Sequence, residues 1–337
     1  MQKTAEAVSL GHPDKTADYI SSYILDRMLE QDKTVKYAVE VLLKANTVVL
    51  GGEITGQVNL DNLKTYVLSA LSAIGYTERY AAIWGEYAIE PHKINIINLI
   101  GQQSGEINQG VINDGWGDQG VFVGYACQGQ GLINRELYLA RKLNQALYQK
   151  ALTSDNLGLD IKTQITLDDN GSISTAIAAV PMLNPEDLRD FVVEVLGERP
   201  QQIIINGTGS YTHHSSIADC GVTGRKLACD FYSTAAPIGG GSPWTKDASK
   251  ADLTLNLYAR KLAVENLQNN DECLVYLSSC IGQSCLPSAV IKTIKGDKVV
   301  SRNRIINRKP SEIITELGLN KPVYAKLCRD GLFNLGV

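Results

Sequence analysis

Residues 35–55 read VKYAVEVLLKANTVVLGGEIT, and the fold class turns on how this stretch is understood. Val35, Tyr37, Val39, Val41 and Leu43 fall on alternate positions, so they line one face of an extended strand, with Lys36 and Glu40 on the other. Asn46 marks a turn, and TVVLGGEIT returns as a second strand. On both sides of this hairpin the hydrophobic period changes. Before it, Ile20, Ile24 and Met28 recur at helical spacing within 16–31; after it, Leu60, Leu63, Val67, Leu71 and Ile74 do the same. The building block is therefore a strand pair with helical cover.

That block recurs. Residues 133–152 have helical periodicity, and KTQITLDDNGSISTAIAAV (162–180) reads as two strands around an Asp-Asn-Gly turn. Asn184-Pro185-Glu186-Asp187 supplies an N-cap, an N1 proline and an acidic first turn for a helix running through Leu196. Farther on, 247–267 reads as a long helix, 273–282 as a buried strand and 286–300 as a strand pair. The expectation is an α+β chain of three related subdomains, each a mixed β-sheet covered by helices, arranged with pseudo-threefold symmetry. The expected divisions are 1–105, 106–218 and 219–337.

Bulk composition narrows the function classes. The 337 residues are 44% hydrophobic and 20% charged, ordinary for a globular protein, and a net charge of −4 offers no overall basic field for nucleic acid or acidic membrane. The N-terminus has no apolar run of signal-peptide length, and no stretch of eighteen apolar residues occurs. Seven cysteines without a CxxC pair read as reduced thiols, with Cys280 and Cys285 expected to pack in an apolar segment. A cytoplasmic protein is expected, so any anion must be held by a local cluster of cations.

Such a cluster is visible. Asp219-Cys220-Gly221-Val222-Thr223-Gly224-Arg225-Lys226 is followed by Gly239-Gly240-Gly241 and by Lys246-Asp247-Ala248-Ser249-Lys250-Ala251-Asp252. Glycines let backbone approach a phosphate, and arginine and lysine neutralise it. Lys246, Lys250 and Asp252 stand at the start of the long helix, whose amides favour an anion. His12 and Asp14 open another helix, where Asp14 by itself reads as an N-cap. The adjacent His213 and His214 are not read as a metal pair, because neighbours on a strand face opposite ways.

Taken in order, Gly11-His12-Pro13-Asp14-Lys15, Gly51-Gly52-Glu53-Ile54-Thr55, Gln109-Gly110, Gly117-Asp118-Gln119-Gly120, Asp160-Ile161-Lys162, Gly221 to Lys226, the triple glycine and Lys246 to Asp252 resemble the motif set of S-adenosylmethionine synthetases. The resemblance runs from about residue 4 to residue 290. It implies a methionine adenosyltransferase: methionine sulfur attacks C5′ of ATP, and the triphosphate leaves and is hydrolysed to phosphate and pyrophosphate. Thioether sulfur needs no base, so stabilisation of the leaving group should dominate. By resemblance the catalytic group is His12, Lys162, Arg225, Lys246 and Asp118. ATP would be held by His12, Asp160, Lys162, Tyr211, Arg225, Lys226 and Lys246, and methionine by Glu53, Gln103, Asp219 and Lys250. Asp14 and Asp252 would bind two Mg2+ per site and Glu40 K+. The family's shared sites imply a homodimer, with dimers able to pair into a tetramer, and no nucleic-acid or membrane partner.

Departures from the family pattern cluster on one side of the site. Leu10 replaces an acidic residue, Leu157-Gly158-Leu159-Asp160 an Arg-Pro-containing run, Ser210 an arginine, Tyr211 a phenylalanine, and Ile238 the histidine before the triple glycine. They keep two other readings open: a regulatory subunit that binds ATP or triphosphate without turnover, and an adenosyltransferase or triphosphatase with a changed acceptor.

Overall fold

The hairpin read from residues 35–55 is present as β2 (Lys36–Lys44) and β3 (Thr47–Thr55), in a computed structural model that describes residues 3–101 and 114–333. Tyr37, Val39, Val41 and Leu43 are buried, as the alternation demands. The turn places Ala45 at φ 51°, and the Asn46 side chain accepts the Glu90 N–H at 2.8 Å, which ties the turn to the chain approaching Asn95.

The remaining strands are β1 (Lys3–Val8), β4 (Asn95–Gly101), β5 (Gly120–Cys127), β6 (Lys162–Leu167), β7 (Ile173–Ala179), β8 (Gln202–Ile205), β9 (Gly221–Val222), β10 (Glu272–Ser279), β11 (Leu286–Lys295) and β12 (Lys298–Ile306). They form three four-stranded sheets, in the orders β1-β6-β7-β8, β4-β3-β2-β9 and β12-β11-β10-β5. The first two end in a parallel pair, β7–β8 and β3–β4; the pairings of the third are antiparallel. Each sheet takes one strand from a distant part of the chain: β1 joins the first, β9 the second and β5 the third.

Helices α1 (Pro13–Gln31), α2 (Leu63–Ile74), α3 (Glu78–Trp84), α4 (Arg135–Leu152), α5 (Arg189–Leu196), α6 (Ser215–Ala218), α7 (Leu227–Asp230), α8 (Ala251–Leu267), α9 (Pro310–Glu316) and α10 (Tyr324–Asp330) supply the cover. α4 lies on β1 and β6, α1 on β2 and β9, and α8 on β5 and β10. One continuous apolar core joins the first two sheets, and a second surrounds α8 within the third. The fold is α+β, three helix-covered sheets, as the periodicity required.

Several boundaries differ from the sequence reading. Asp14 does not cap α1; His12 does, its Nδ1 accepting the Asp14 N–H at 3.1 Å, with Pro13 as the first helical residue. The helix expected from Asn184-Pro185 begins at Arg189 instead. Asn184 is held to Asn156 by two hydrogen bonds, and Asp187 clamps the Arg189 guanidinium, so the segment between stays a turn. α8 likewise starts at Ala251, four residues later than its pattern, because Asp247 takes backbone N–H groups from Tyr37 and Ser249. Cys280 is exposed and Cys285 half-buried: β10 ends at Ser279, and both lie in the turn that follows rather than in the core. All seven cysteines are free thiols.

Candidate active site

The edge of β2 explains why two cation-bearing segments meet. At Leu42 and Leu43 that edge pairs with β9, and at Tyr37 to Val39 it carries residues 245–247 instead: Val39 N–H donates to Thr245 O (3.0 Å) and Asp247 N–H to Tyr37 O (3.0 Å). Arg225 and Lys226 follow the first pairing and Lys246 lies within the second. Glu40 joins the two, with Thr245 Oγ1 donating to its Oε1 at 3.0 Å and Thr223 Oγ1 to its Oε2. The two runs are thus fixed side by side by backbone hydrogen bonds, which a flexible loop would not achieve.

The N-terminus of α1 faces them. Asp14 is fully buried; its Oδ1 accepts the Val222 N–H at 2.8 Å, its Oδ2 takes the Lys226 ammonium at 2.6 Å, and Arg225 Nε lies 3.7 Å away. Burial holds the His12 imidazole at about 3, with Lys226 and Lys162 pressing the same way, so the ring is neutral at physiological pH. Because Nδ1 accepts the Asp14 N–H, the ring proton sits on Nε2, leaving a neutral donor at the site. Asp160 is also buried; one oxygen accepts the Ser215 N–H at 3.0 Å while the other has no hydrogen-bond partner among the described residues. Burial pushes its carboxyl up to about 6, against the pull of Lys162 and Lys226.

Next to this group, Asp252 in the first turn of α8 accepts the Gly241 N–H at 2.8 Å and pairs with Lys246. Lys250 pairs with Asp247. The triple glycine has a packing reason that the sequence did not disclose: a Cβ on Gly239 would stand 2.7 Å from Val121 O and Val123 N of β5, and Gly240 has φ +73°. Gly241 is the member turned to the carboxylate.

The remaining expected residues scatter. Tyr211 is within electrostatic reach of Asp160, Asp219 of His12 and Asp160, and Lys162 opens β6. Glu53 is on β3, in register with Ala38 and Gly101, and Asp118 precedes β5 with its carbonyl accepting Ser279 Oγ at 2.9 Å. Gln103 lies outside the described residues, as do Gln109 and Gly110. His214 is a buried structural ring between Tyr80 Oη and Thr212 O, held down to about 4 by burial, and His213 packs edge-on against Tyr87.

Two family domain models account for much of the chain: S-adenosylmethionine synthetase, N-terminal domain, over residues 1–105, and the C-terminal domain over 214–335. An S-adenosylmethionine synthase of Paramagnetospirillum magneticum (strain AMB-1) is 33% identical, with 98% of this chain and 92% of that protein covered. The chain belongs to the S-adenosylmethionine synthetase family. A solved structure described as an unusual S-adenosylmethionine synthetase from Campylobacter jejuni superimposes with a TM-score of 0.87 at 30% identity, covering 98% of this chain and 94% of that one.

The structure also brings out groups that the sequence reading passed over. Lys15, quoted within its motif but given no role, is buried with its ammonium 2.7 Å from Asp230 and 3.3 Å from Asp18, over the ring of Trp244. Asp18 accepts the Gly224 N–H at 2.9 Å, and Asp230 accepts Trp244 Nε1–H at 2.8 Å. This buried cluster ties α1 to the segments bearing Arg225, Lys226 and Lys246. The available signal was Asp14, Lys15 and Asp18 together in the first turns of a helix that is otherwise buried on most sides.

Proposed function

We infer that the chain is a methionine adenosyltransferase, forming S-adenosylmethionine from ATP and L-methionine. The observation that carries this reading is the alignment of Arg225, Lys226 and Lys246 along one edge of β2, opposite His12 and Asp14. A thioether attacking C5′ displaces a polyanion, and cations on rigid backbone lower that barrier without a general base. In this reading Lys162, Arg225, Lys226 and Lys246 receive the triphosphate and neutral His12 donates its Nε2–H to it. Asp160 and Tyr211 hold the adenosyl part; Glu53, Gln103, Asp219 and Lys250 receive methionine; and Asp118 completes the set.

A divalent metal is used in this family. Asp14 and Asp252 fit such an ion: each presents one carboxylate anchored by a backbone N–H, and no group of three or more His, Cys, Asp or Glu side chains forms a cage among the described residues. That donor set suits Mg2+ completed by phosphate oxygens and water, one ion per carboxylate, which would screen the departing charge. We place K+ at Glu40, a homodimer with shared sites as the active unit, and the protein in the cytoplasm. No helix among the described residues is long and apolar enough to cross a membrane. The divisions at about residues 105 and 218 are proposed as chain segments, since each sheet also draws a strand from outside its own segment.

The deciding experiment incubates the pure protein with ATP, Mg2+, K+ and L-methionine and follows sulfonium and pyrophosphate together. Stoichiometric appearance of both is expected. Phosphate release without sulfonium would overturn the assignment of the acceptor, and ATP binding without turnover would overturn catalysis.

A further inference from the structure

A cavity of about 390 Å3 lies among the end of β1, α4, α7 and α10. Its size is that of a small-ligand pocket. Ser9, Arg141, Gln145, Tyr148, Asp230 and Arg329 contribute to its wall. Most of the polar groups there are already used. Tyr148 Oη donates to Ile74 O, Asn144 Nδ2 to Ala7 O and Ile161 O, and Ser9 Oγ to Leu159 O. These bonds fix that part of the wall, which the Gln145 and Gln149 amides also line.

Arg141 brings a charge to the wall. Its guanidinium packs on the Phe333 ring, 4.9 Å from the centroid, and donates to Asp330 O at 2.7 Å. Among the described residues no carboxylate lies within ion-pair distance of it, whereas Asp330 is taken by Lys326 and Arg329, and Asp230 by Lys15. A guanidinium has five N–H donors in a plane; with one face on an aromatic ring, its edge suits a two-oxygen acceptor. Among the described residues the charged groups that line the cavity are Lys15, Arg141 and Arg329 against Asp230 and Asp330, an excess of one positive charge. One negative charge neutralises it, and a polyphosphate would meet the carboxylates instead.

We propose that this cavity binds a small monoanionic carboxylate, anchored by Arg141. The cavity shares Lys15 and Asp230 with the buried cluster that positions Asp14, Arg225 and Lys226, so its occupant acts on the catalytic site from behind. This second clause rests on the reading of those residues as the triphosphate group; the binding itself does not.

The test is calorimetric titration of the full-length protein with benzoate and with butyrate, and with inorganic pyrophosphate as the polyanion. Saturable binding of at least one carboxylate is expected, undiminished by a saturating non-hydrolysable ATP analogue. Arg141→Met should weaken it by about tenfold or more, the loss of a charged hydrogen-bond pair. Gln145→Trp, which fills the mouth from an exposed position, should abolish it while leaving the thermal midpoint unchanged. Absence of binding by both carboxylates, binding that Gln145→Trp leaves intact, or a preference for pyrophosphate would each overturn the proposal. If a carboxylate binds, kcat for adenosyl transfer should change at saturation; an unchanged kcat would remove the coupling.

Discussion

Single residues in this site differ in how far their role depends on charge. Lys162 opens β6 on the exposed side, within electrostatic reach of His12 and Asp160. Lys162→Met should therefore cost activity and little stability: kcat for sulfonium formation should fall by about 100-fold or more, with an unchanged circular-dichroism melt. Near-normal turnover would remove Lys162 from the leaving-group cations. Asp160 behaves differently. Its folded-state carboxyl is raised to about 6 by burial, so the fold favours the neutral form and loses stability as pH rises from the ordinary carboxylate range through 6. Asp160→Asn removes that loss. Relative to the parent, the variant should be more stable at pH 8 than at pH 4.5, by about 2–3 kcal/mol for a shift of this size. Equal effects at both pH values, in denaturant titrations, would contradict the burial argument. His12 contributes in the opposite sense: its lowered value makes the unfolded chain bind the extra proton, so stability declines as pH drops below about 6.5 toward 3.

At the scale of elements, the site exists because β2 has an edge long enough to accept two separate segments. The glycine run 239–241 connects this arrangement to β5, and its members separate packing from chemistry. Gly239→Ala drives a methyl into the β5 backbone and should lower stability by about 1–3 kcal/mol, read as an earlier thermal transition. Gly241→Ala meets only the Asp252 carboxylate, 3.1 Å from its Oδ2. It should leave the melt nearly unchanged and raise the Mg2+ concentration needed for half-maximal activity. If the two variants behave alike, the division drawn here between them is wrong. The helix starts teach the same lesson. His12 rather than Asp14 caps α1, which frees the Asp14 carboxylate to face Val222 and Lys226. A capping pattern read along the chain cannot distinguish the two, because either residue type can cap and the partners of Asp14 are more than 200 residues away.

At the scale of the molecule, the sheet β4-β3-β2-β9 buries one face and leaves the other open. The open face carries Leu42 (40% exposed), Ile97 (42%) and Leu99 (65%) together with Glu40 and Glu53, which share it by register. Apolar side chains interleaved with proposed site carboxylates fit a surface completed by a second copy of the chain. Leu99→Asp should shift sedimentation from dimer to monomer and reduce turnover in parallel. A fully active monomer would sink the shared-site proposal.

The sequence by itself determined the α+β class, the strand–helix blocks and the identity of the charged motifs, because hydrophobic period and turn chemistry are local properties. The family resemblance set the expectation that those motifs share one site. Only the tertiary structure decided which residue caps α1, where α5 and α8 begin, and why Gly239 must be glycine. It also disclosed the buried cluster of Lys15, Asp18 and Asp230, and behind it the Arg141 guanidinium, which has no carboxylate within ion-pair distance among the described residues. These features arise from contacts between segments far apart in the chain, where burial and hydrogen-bond partners, rather than local propensity, set the outcome.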